Sequence, residues 1–364
     1  MHHMRVQVVL LVSAGLLVGS VLTLLHPKVE IVKDRNLYEE AYLQSPEYLN
    51  NTPFSVGSNP FDADVTTRRI MEAFPYVANY SEPIEKNILQ MWKVGPEDPD
   101  FPYRPEFDSW TEMNPGYNHV HYTNAKLGEY VLSVFNETVP EVAETLKQFP
   151  KLILESDFTR YAWIFLNGGV YADLDTECTE PIDNWPDAHD RSIHALIAME
   201  SDYNIPEWDE MNTGRLQFEN WGFKFKKHHP ALARTIANVV KLTFNQQACR
   251  KFENKFKHMG LDSCHPLGVI EWTGPGVFTQ SMVDFFNKEK RLEIRDFDFY
   301  RTKKEIFGPE TDDFVSYRTF TGIESPLILN DVCVLPPRGF QCQDEMIGKY
   351  CYMKHKYYGG WKNE

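Results

Sequence analysis

One apolar run dominates the N-terminus: Val6 to Leu25, 20 residues without a charge, with only Gln7, Ser13, Ser20 and Thr23 polar. About 20 apolar residues span a bilayer core as a helix. A cleaved signal peptide carries a shorter apolar stretch, roughly 7–15 residues, followed by a small-residue cleavage site. Here His26-Pro27-Lys28 follows instead, so the pattern predicts an uncleaved signal anchor over 6–25 behind a short tail, residues 1–5. Residues 26–83 are polar, with Tyr and Pro scattered through them and short helical patterns at Glu39–Tyr42 and Thr67–Phe74. They read as a stem.

From residue 84 the pattern changes. Ile88, Leu89 and Met91 mark a short buried strand that ends at Trp92-Lys93. Pro115-Gly116-Tyr117 is a turn signal ahead of a second strand, Asn118 to Tyr122, and a helix from Asn124 to about Phe135. A longer helix is predicted from Lys151 to Leu166, stopped by Asn167-Gly168-Gly169, and then a strand from Val170 to Leu174. Helices alternating with short apolar strands imply an α/β body over 84–364 with a mainly parallel sheet. Ligands in such folds sit beyond the carboxyl ends of the strands.

Charge narrows the partners. The chain carries a net charge of −15 and no Lys/Arg-rich stripe, which excludes nucleic-acid binding by counterion release. An anionic nucleotide would need a metal ion or particular Arg and Lys residues. Arg5 precedes the apolar run while Lys28, Lys33 and Arg35 follow it, so the basic residues do not favour a cytoplasmic N-terminus. Sequons at Asn50, Asn79 and Asn136 and an even set of six cysteines point the other way, to a lumenal body. Cys249–Cys264 is one local pairing, with Cys342–Cys351 or Cys333–Cys342 as alternatives for another. Without a CxxC pair, a zinc ribbon or thioredoxin-like site is disfavoured.

Four Asp-x-Asp triplets occur, at 62–64, 98–100, 173–175 and 296–298. Only Asp173-Leu174-Asp175 ends an apolar strand after a Gly-Gly turn and a helix bearing Asp157 and Arg160. Strand alternation would send Val170, Ala172 and Leu174 into the core, and Tyr171, Asp173 and Asp175 toward the crevice. Two carboxylates there suit Mg²⁺ or Mn²⁺, which neutralises a departing nucleoside diphosphate. Asp157 and Arg160, three apart on one helix face, would reach a sugar or phosphate beside the metal. His228-His229-Pro230 reads as a helix start rather than a metal pair. Trp163 and Trp221 read as packing aromatics.

The stretches Ser156-Asp157-Phe158-Thr159-Arg160, Gly168 to Asp175 and Pro181-Ile182-Asp183 resemble glycosyltransferase family 32, the DxD-containing sugar transferases that include fungal mannosyltransferases. Ile88–Lys93 is similar to the family's opening strand, Thr273–Phe278 to its Thr-Gly-Pro loop, and the tail from His355 to Trp361 to its closing segment. The resemblance implies a GT-A fold and a retaining α-1,6-mannosyltransferase of the Golgi membrane. Its donor would be GDP-mannose, its cofactor Mn²⁺ (or Mg²⁺), and its acceptor an oligomannose or N-glycan chain. It assigns Asp173 and Asp175 to metal and diphosphate, with His355 as a third ligand or Lys356 as a diphosphate contact. Asp157 and Arg160 go to the donor sugar, and Trp92, Tyr171, Gly274 and Trp361 line the donor site. Two alternatives accompany it: a non-catalytic subunit of a mannosyltransferase complex, and a relative acting on a sphingolipid. No nucleophilic side chain stands out.

Overall fold

A computed structural model of the chain describes residues 62–203, 214–258, 267–287, 315, 317–342 and 350–359, with side chains described for all of these except 246–258. The apolar run 6–25, the sequon at Asn50, the Cys249–Cys264 pairing and Trp361 lie outside the described residues and side chains. Among the described residues no helix is long and apolar enough to cross a membrane.

Ten helices and ten strands are used below. The helices are α1 (Ala63–Ala73), α2 (Arg104–Met113), α3 (Asn124–Thr138), α4 (Pro140–Lys147), α5 (Leu152–Asn167), α6 (Pro186–His189), α7 (Pro230–His258), α8 (Val269–Trp272), α9 (Pro275–Phe286) and α10 (Tyr317–Phe320). The strands are β1 (Asn87–Trp92), β2 (Asn118–Thr123), β3 (Gly169–Ala172), β4 (Thr176–Cys178), β5 (Ala195–Asp202), β6 (Leu216–Phe218), β7 (Gly222–Phe225), β8 (Leu327–Leu329), β9 (Val332–Leu335) and β10 (Met353–His355). The main sheet has the order β2-β1-β3-β7-β5-β9-β8, with β6 paired to β5, while β4 and β10 form a separate antiparallel pair.

Five strands, β2, β1, β3, β5 and β9, run in one direction, and β7, β6 and β8 run against them. The sheet is mainly parallel, as expected, with three reversed strands added to it. Asn330-Asp331 alone joins β8 to β9, a link too short for a parallel crossover, with Asn330 at φ 55°. The five common carboxyl ends share one edge, which gathers Trp92, Thr123, Asp173 and the end of β5.

Alternation along the strands serves two cores. Leu89, Met91, Tyr171, Ile197 and Phe223 face the main helical layer; Ile88, Val170, Ala172, Leu196 and Ala198 face a second core with Trp110 and Trp185. The predicted helix 151–166 is α5, whose apolar residues point nearly all round because it lies inside the fold. It stops at Gly168 (φ 68°) and Gly169 (φ 110°), where a Cβ on Gly169 would run into the Asn87 carbonyl of β1. That glycine lets β3 pack directly beside β1.

The segment read as stem is folded against the body from residue 63 onward. Ala63 and Ile70 of α1 are buried in the main core, and Arg69 pairs with the buried Glu141 of α4 at 3.0 Å. Lys226 Nζ donates to the Asn79 and Glu82 carbonyls at 3.1 and 2.9 Å, which ties down the chain leading into β1. As expected, the helix after His228-His229 begins at Pro230. His229 is buried and meets Asp331 at 3.3 Å. The sequon at Asn136 is exposed on the last turn of α3, and Asn79 closes a turn with Ser81 at the surface.

Candidate active site

The strand expected to run to Leu174 ends at Ala172. Asp173-Leu174-Asp175 is a turn, not the continuation of alternating side chains: the Thr176 N–H closes it on the Asp173 carbonyl at 3.1 Å, and three further bonds hold that carbonyl and the Asp173 amide. The Asp173 carbonyl accepts from Gln90 Nε2 at 3.0 Å and from the Thr176 hydroxyl at 2.6 Å, and Asp173 N–H donates to the Trp221 carbonyl at 2.8 Å. The turn leads into β4, and β4 pairs with β10 so that Thr176 lies opposite His355. Residues 180 apart in sequence thereby meet: one ligand atom each from Asp173, Asp175 and His355 lie within 4.8 Å of one another.

Two carboxylates and an imidazole so placed, half-buried at the strand ends, fit a divalent cation that retains open positions for a diphosphate. Burial, and then the Asp173 charge, raises the Asp175 carboxyl. Burial lowers His355, which keeps its imidazole neutral with a lone pair to offer. His355 Nε2 is 3.5 Å from Asp175 Oδ1, and the Trp221 ring lies 4.5 Å from the imidazole. Lys356 does not turn toward this centre. Its ammonium lies 2.5 Å from Glu177 of β4, and its backbone N–H donates to the Asp175 carbonyl at 2.9 Å.

Asp157 and Arg160 sit beside the turn but inside the protein, 4% and 5% exposed. Arg160 Nη2 is 2.9 Å from Asp157 Oδ1, its Nη1 is 3.3 Å from Asp173 Oδ1 and 3.1 Å from the Asn220 carbonyl, and its guanidinium lies 4.7 Å from the Tyr171 ring. Asp157 takes further bonds from the Thr273 hydroxyl at 3.0 Å and from Asn220 Nδ2 at 3.3 Å. Burial pushes its carboxyl up to about 6, against the pull of Arg160. Burial alone would lower Arg160, but Asp173, Tyr171 and Asp157 hold it above its ordinary value. Both residues were expected to face the sugar; in this arrangement their polar atoms are engaged in aiming Asp173.

Tyr171 is likewise buried, because its strand position faces the helical layer, and its hydroxyl donates to Asp173. Gly274 precedes α9, where a Cβ would come 2.9 Å from Ile270 Cα. Its loop serves to seat Thr273 against Asp157 and to accept the Tyr161 hydroxyl on the Thr273 carbonyl at 2.9 Å. Trp92 ends β1, with its ring 5.7 Å from Tyr103, which in turn stacks on Tyr358 at 4.8 Å. Tyr358 N–H donates to Asp175 Oδ2 at 3.1 Å, and its hydroxyl donates to Glu106 at 3.1 Å. Aromatic side chains thus run from the strand end to the acidic turn. Of these, sequence reading singled out Trp92 alone.

Two histidines of β2 also went unrecognised. His119 Nε2 lies 3.0 Å from Gln90 Oε1, and His121 packs edge-on to Phe101 at 5.3 Å. Burial lowers both to about 4, so both are neutral. The one available signal was their place near the carboxyl end of a strand. Asn220, which touches Asp157 and Tyr161, carried no local motif at all.

Residues 104–193 match the sequence profile of a family described as a glycosyltransferase sugar-binding region containing the DXD motif. The chain is 28% identical over 353 residues to an initiation-specific alpha-1,6-mannosyltransferase of Candida albicans, covering 93% of this chain and 86% of that protein. To the protein of that description from Saccharomyces cerevisiae it is 24% identical over 391 residues, with 80% of each covered. An inositol phosphoceramide mannosyltransferase of Schizosaccharomyces pombe matches at 26% over 168 residues, 46% of this chain and 40% of that protein. The acidic turn falls inside the profile match and the longer alignments run through the body, so the chain is similar to the DXD-containing glycosyltransferases and is a glycosyltransferase.

Proposed function

We propose that the protein transfers mannose from GDP-mannose to a mannose-containing glycan, forming an α-1,6 linkage with retention of configuration, on a GT-A fold with Mn²⁺. The observation that carries this reading is the meeting of Asp173, Asp175 and His355 at the carboxyl edge of the sheet. Bound there, a divalent cation would neutralise the charge developing on the leaving diphosphate. The protein's own contribution is preorganisation: Arg160 and Tyr171 hold Asp173, the Tyr358 amide and the β4–β10 pairing hold Asp175 and His355, and Trp92 with Tyr103 offers rings for the base.

The glycan acceptor is favoured over a sphingolipid because alignment with the alpha-1,6-mannosyltransferases of Candida albicans and Saccharomyces cerevisiae spans 93% and 80% of the chain, whereas that with two inositol phosphoceramide enzymes spans 46% and 57%. A complete ligand triad also favours an enzyme over a silent subunit of a complex. The apolar run 6–25 and the exposed sequon at Asn136 support a type II Golgi protein with its body in the lumen. The deciding experiment is a donor and acceptor screen of GDP-mannose against UDP-sugars, with and without Mn²⁺, followed by linkage analysis of the product. Metal-dependent α-1,6-mannosyl transfer is the expected outcome. Turnover confined to a UDP-sugar would reject the donor assigned here.

A further inference from the structure

The edge that carries Asp173 continues two strands further. β7 lies beside β3 and β5 beside β7, so Glu200, near the end of β5, stands on the same edge with Trp221 between it and Asp173. Glu219 enters from the segment before β7. Its N–H donates to the Ala198 carbonyl at 3.0 Å, next to the irregularity of β5 between Met199 and Ser201.

Glu219 is 0% exposed, yet neither of its carboxylate oxygens has a hydrogen-bond partner, and the buried Trp221 Nε1 is also without one. Gln341 stands beside Glu219, and Glu200 beside the indole nitrogen, without completing those bonds. Gln217 Nε2 donates to Glu200 Oε2 at 2.5 Å, and Gln341 Nε2 reaches the Glu200 carbonyl at 3.5 Å. On the outer side Tyr357, 57% exposed, lies 6.4 Å from the Trp221 ring and 4.0 Å from His355.

A buried polar group without a partner is costly, and native folds keep few of them. Here three such atoms, two oxygens and one N–H, cluster on the edge where the chemistry takes place. Burial, with Glu200 second, holds Glu219 well above the carboxylate range, so the pair offers both a donor and acceptors. Two carboxyls, two amides and an indole N–H beside an exposed phenol ring match a neutral hexose. Each sugar hydroxyl both gives and takes a hydrogen bond, and the ring's C–H face packs on an aromatic. An anionic ligand would be repelled.

We propose that Glu219, Glu200 and the Trp221 indole N–H form the acceptor subsite, binding hydroxyls of a neutral hexose at the end of the acceptor, with Tyr357 as its rim. The assignment rests on the reading of the chain as a hexosyl transferase to glycans. It does not depend on which hexose is accepted.

The test titrates the full chain, with Mn²⁺ and GDP bound, against α-1,6-mannobiose, maltose and lactose, using saturation-transfer NMR and calorimetry. Glu219→Gln, Glu200→Gln and Trp221→Phe are compared with wild type. At least one disaccharide should bind, and each substitution should weaken it about ten-fold, the size of a lost hydrogen bond to an oriented sugar. GDP affinity should stay within about two-fold of wild type. Binding of maltose or lactose but not mannobiose, with the same losses, would keep the subsite and reject mannose. Unchanged disaccharide affinity in the variants, or no disaccharide bound by wild type at millimolar concentrations, would overturn the subsite. If Glu219→Gln fails to fold, the half-buried Glu200→Gln and Trp221→Phe decide between these outcomes.

Discussion

Arg160 Nη1 lies 3.3 Å from Asp173 Oδ1 while Nη2 of the same guanidinium lies 2.9 Å from Asp157. One buried cation therefore serves two carboxylates, one of them a candidate metal ligand. Breaking a buried pair by removing one partner costs about 3–5 kcal/mol. Arg160→Met is expected to lose that amount in urea denaturation. Arg160→Lys should keep the charge but not the planar fork, recovering part of the stability and little of the transfer rate.

The metal triad predicts a sign that differs with and without the ion. Crowding by burial and by Asp173 raises the Asp175 carboxyl, so above that raised value the metal-free fold carries an unfavourable charge. Asp175→Asn should therefore leave the metal-free protein as stable as wild type or more so at neutral pH. With Mn²⁺ at 100 times its dissociation constant, wild type should gain about 2.7 kcal/mol and the variant nothing. His355→Gln should gain an intermediate amount. Thermal melts with and without Mn²⁺ read this without any turnover.

Acid stability depends on a different cluster, at the opposite edge of the sheet. Burial would raise Asp331, but the hydrogen bond and charge of His229, then Tyr76 and His194, pull it from 3.8 to about 2. Tyr76 donates to Asp331 at 2.9 Å, and this contact fastens the chain that follows α1. A depressed carboxyl contributes stability that is present above the unfolded value and lost as pH falls through the folded one. Between pH 3.8 and about 2 the loss should be roughly 2 kcal/mol. Asp331→Asn should be less stable than wild type at pH 6 and show a flatter profile over that window.

Cys342 and Cys351 form a disulfide across a separation of nine residues, while Cys178 and Cys333 are buried and free. The bond closes the loop that delivers β10, and β10 carries His355. Chain-entropy arguments give about 2–3 kcal/mol for a loop of this length. A Cys342→Ser/Cys351→Ser double variant should lose that stability and also require more Mn²⁺ for half-maximal stabilisation. Dithiothreitol should produce the same shift in wild type but not in the double variant.

Local physical chemistry made much of the frame legible. The strand at Asn87–Trp92, the strand–helix unit from Asn118, the long helix before Gly168-Gly169 and the helix start at Pro230 follow from periodicity, turn residues and proline, all of which act within a few positions. The acidic turn stood out from three similar triplets by its neighbours in sequence. What local pattern could not decide was where side chains end up once layers pack. Alternation put Asp173 and Asp175 on a strand; hydrogen bonds with Gln90, Thr176 and Trp221, two of these partners far along the chain, made a turn. Helical spacing put Asp157 and Arg160 on one face correctly, but their burial against Asn220 and Thr273 came from β7 and α9 closing over them.

The third ligand and the buried glutamates belong wholly to tertiary structure. His355 meets Asp175 only because β10 pairs with β4, and Glu219 approaches Glu200 only because β6 and the segment before β7 return along β5. Contacts across so many residues are set by which layers bury the most apolar surface with their backbones paired. No short window of sequence carries that information.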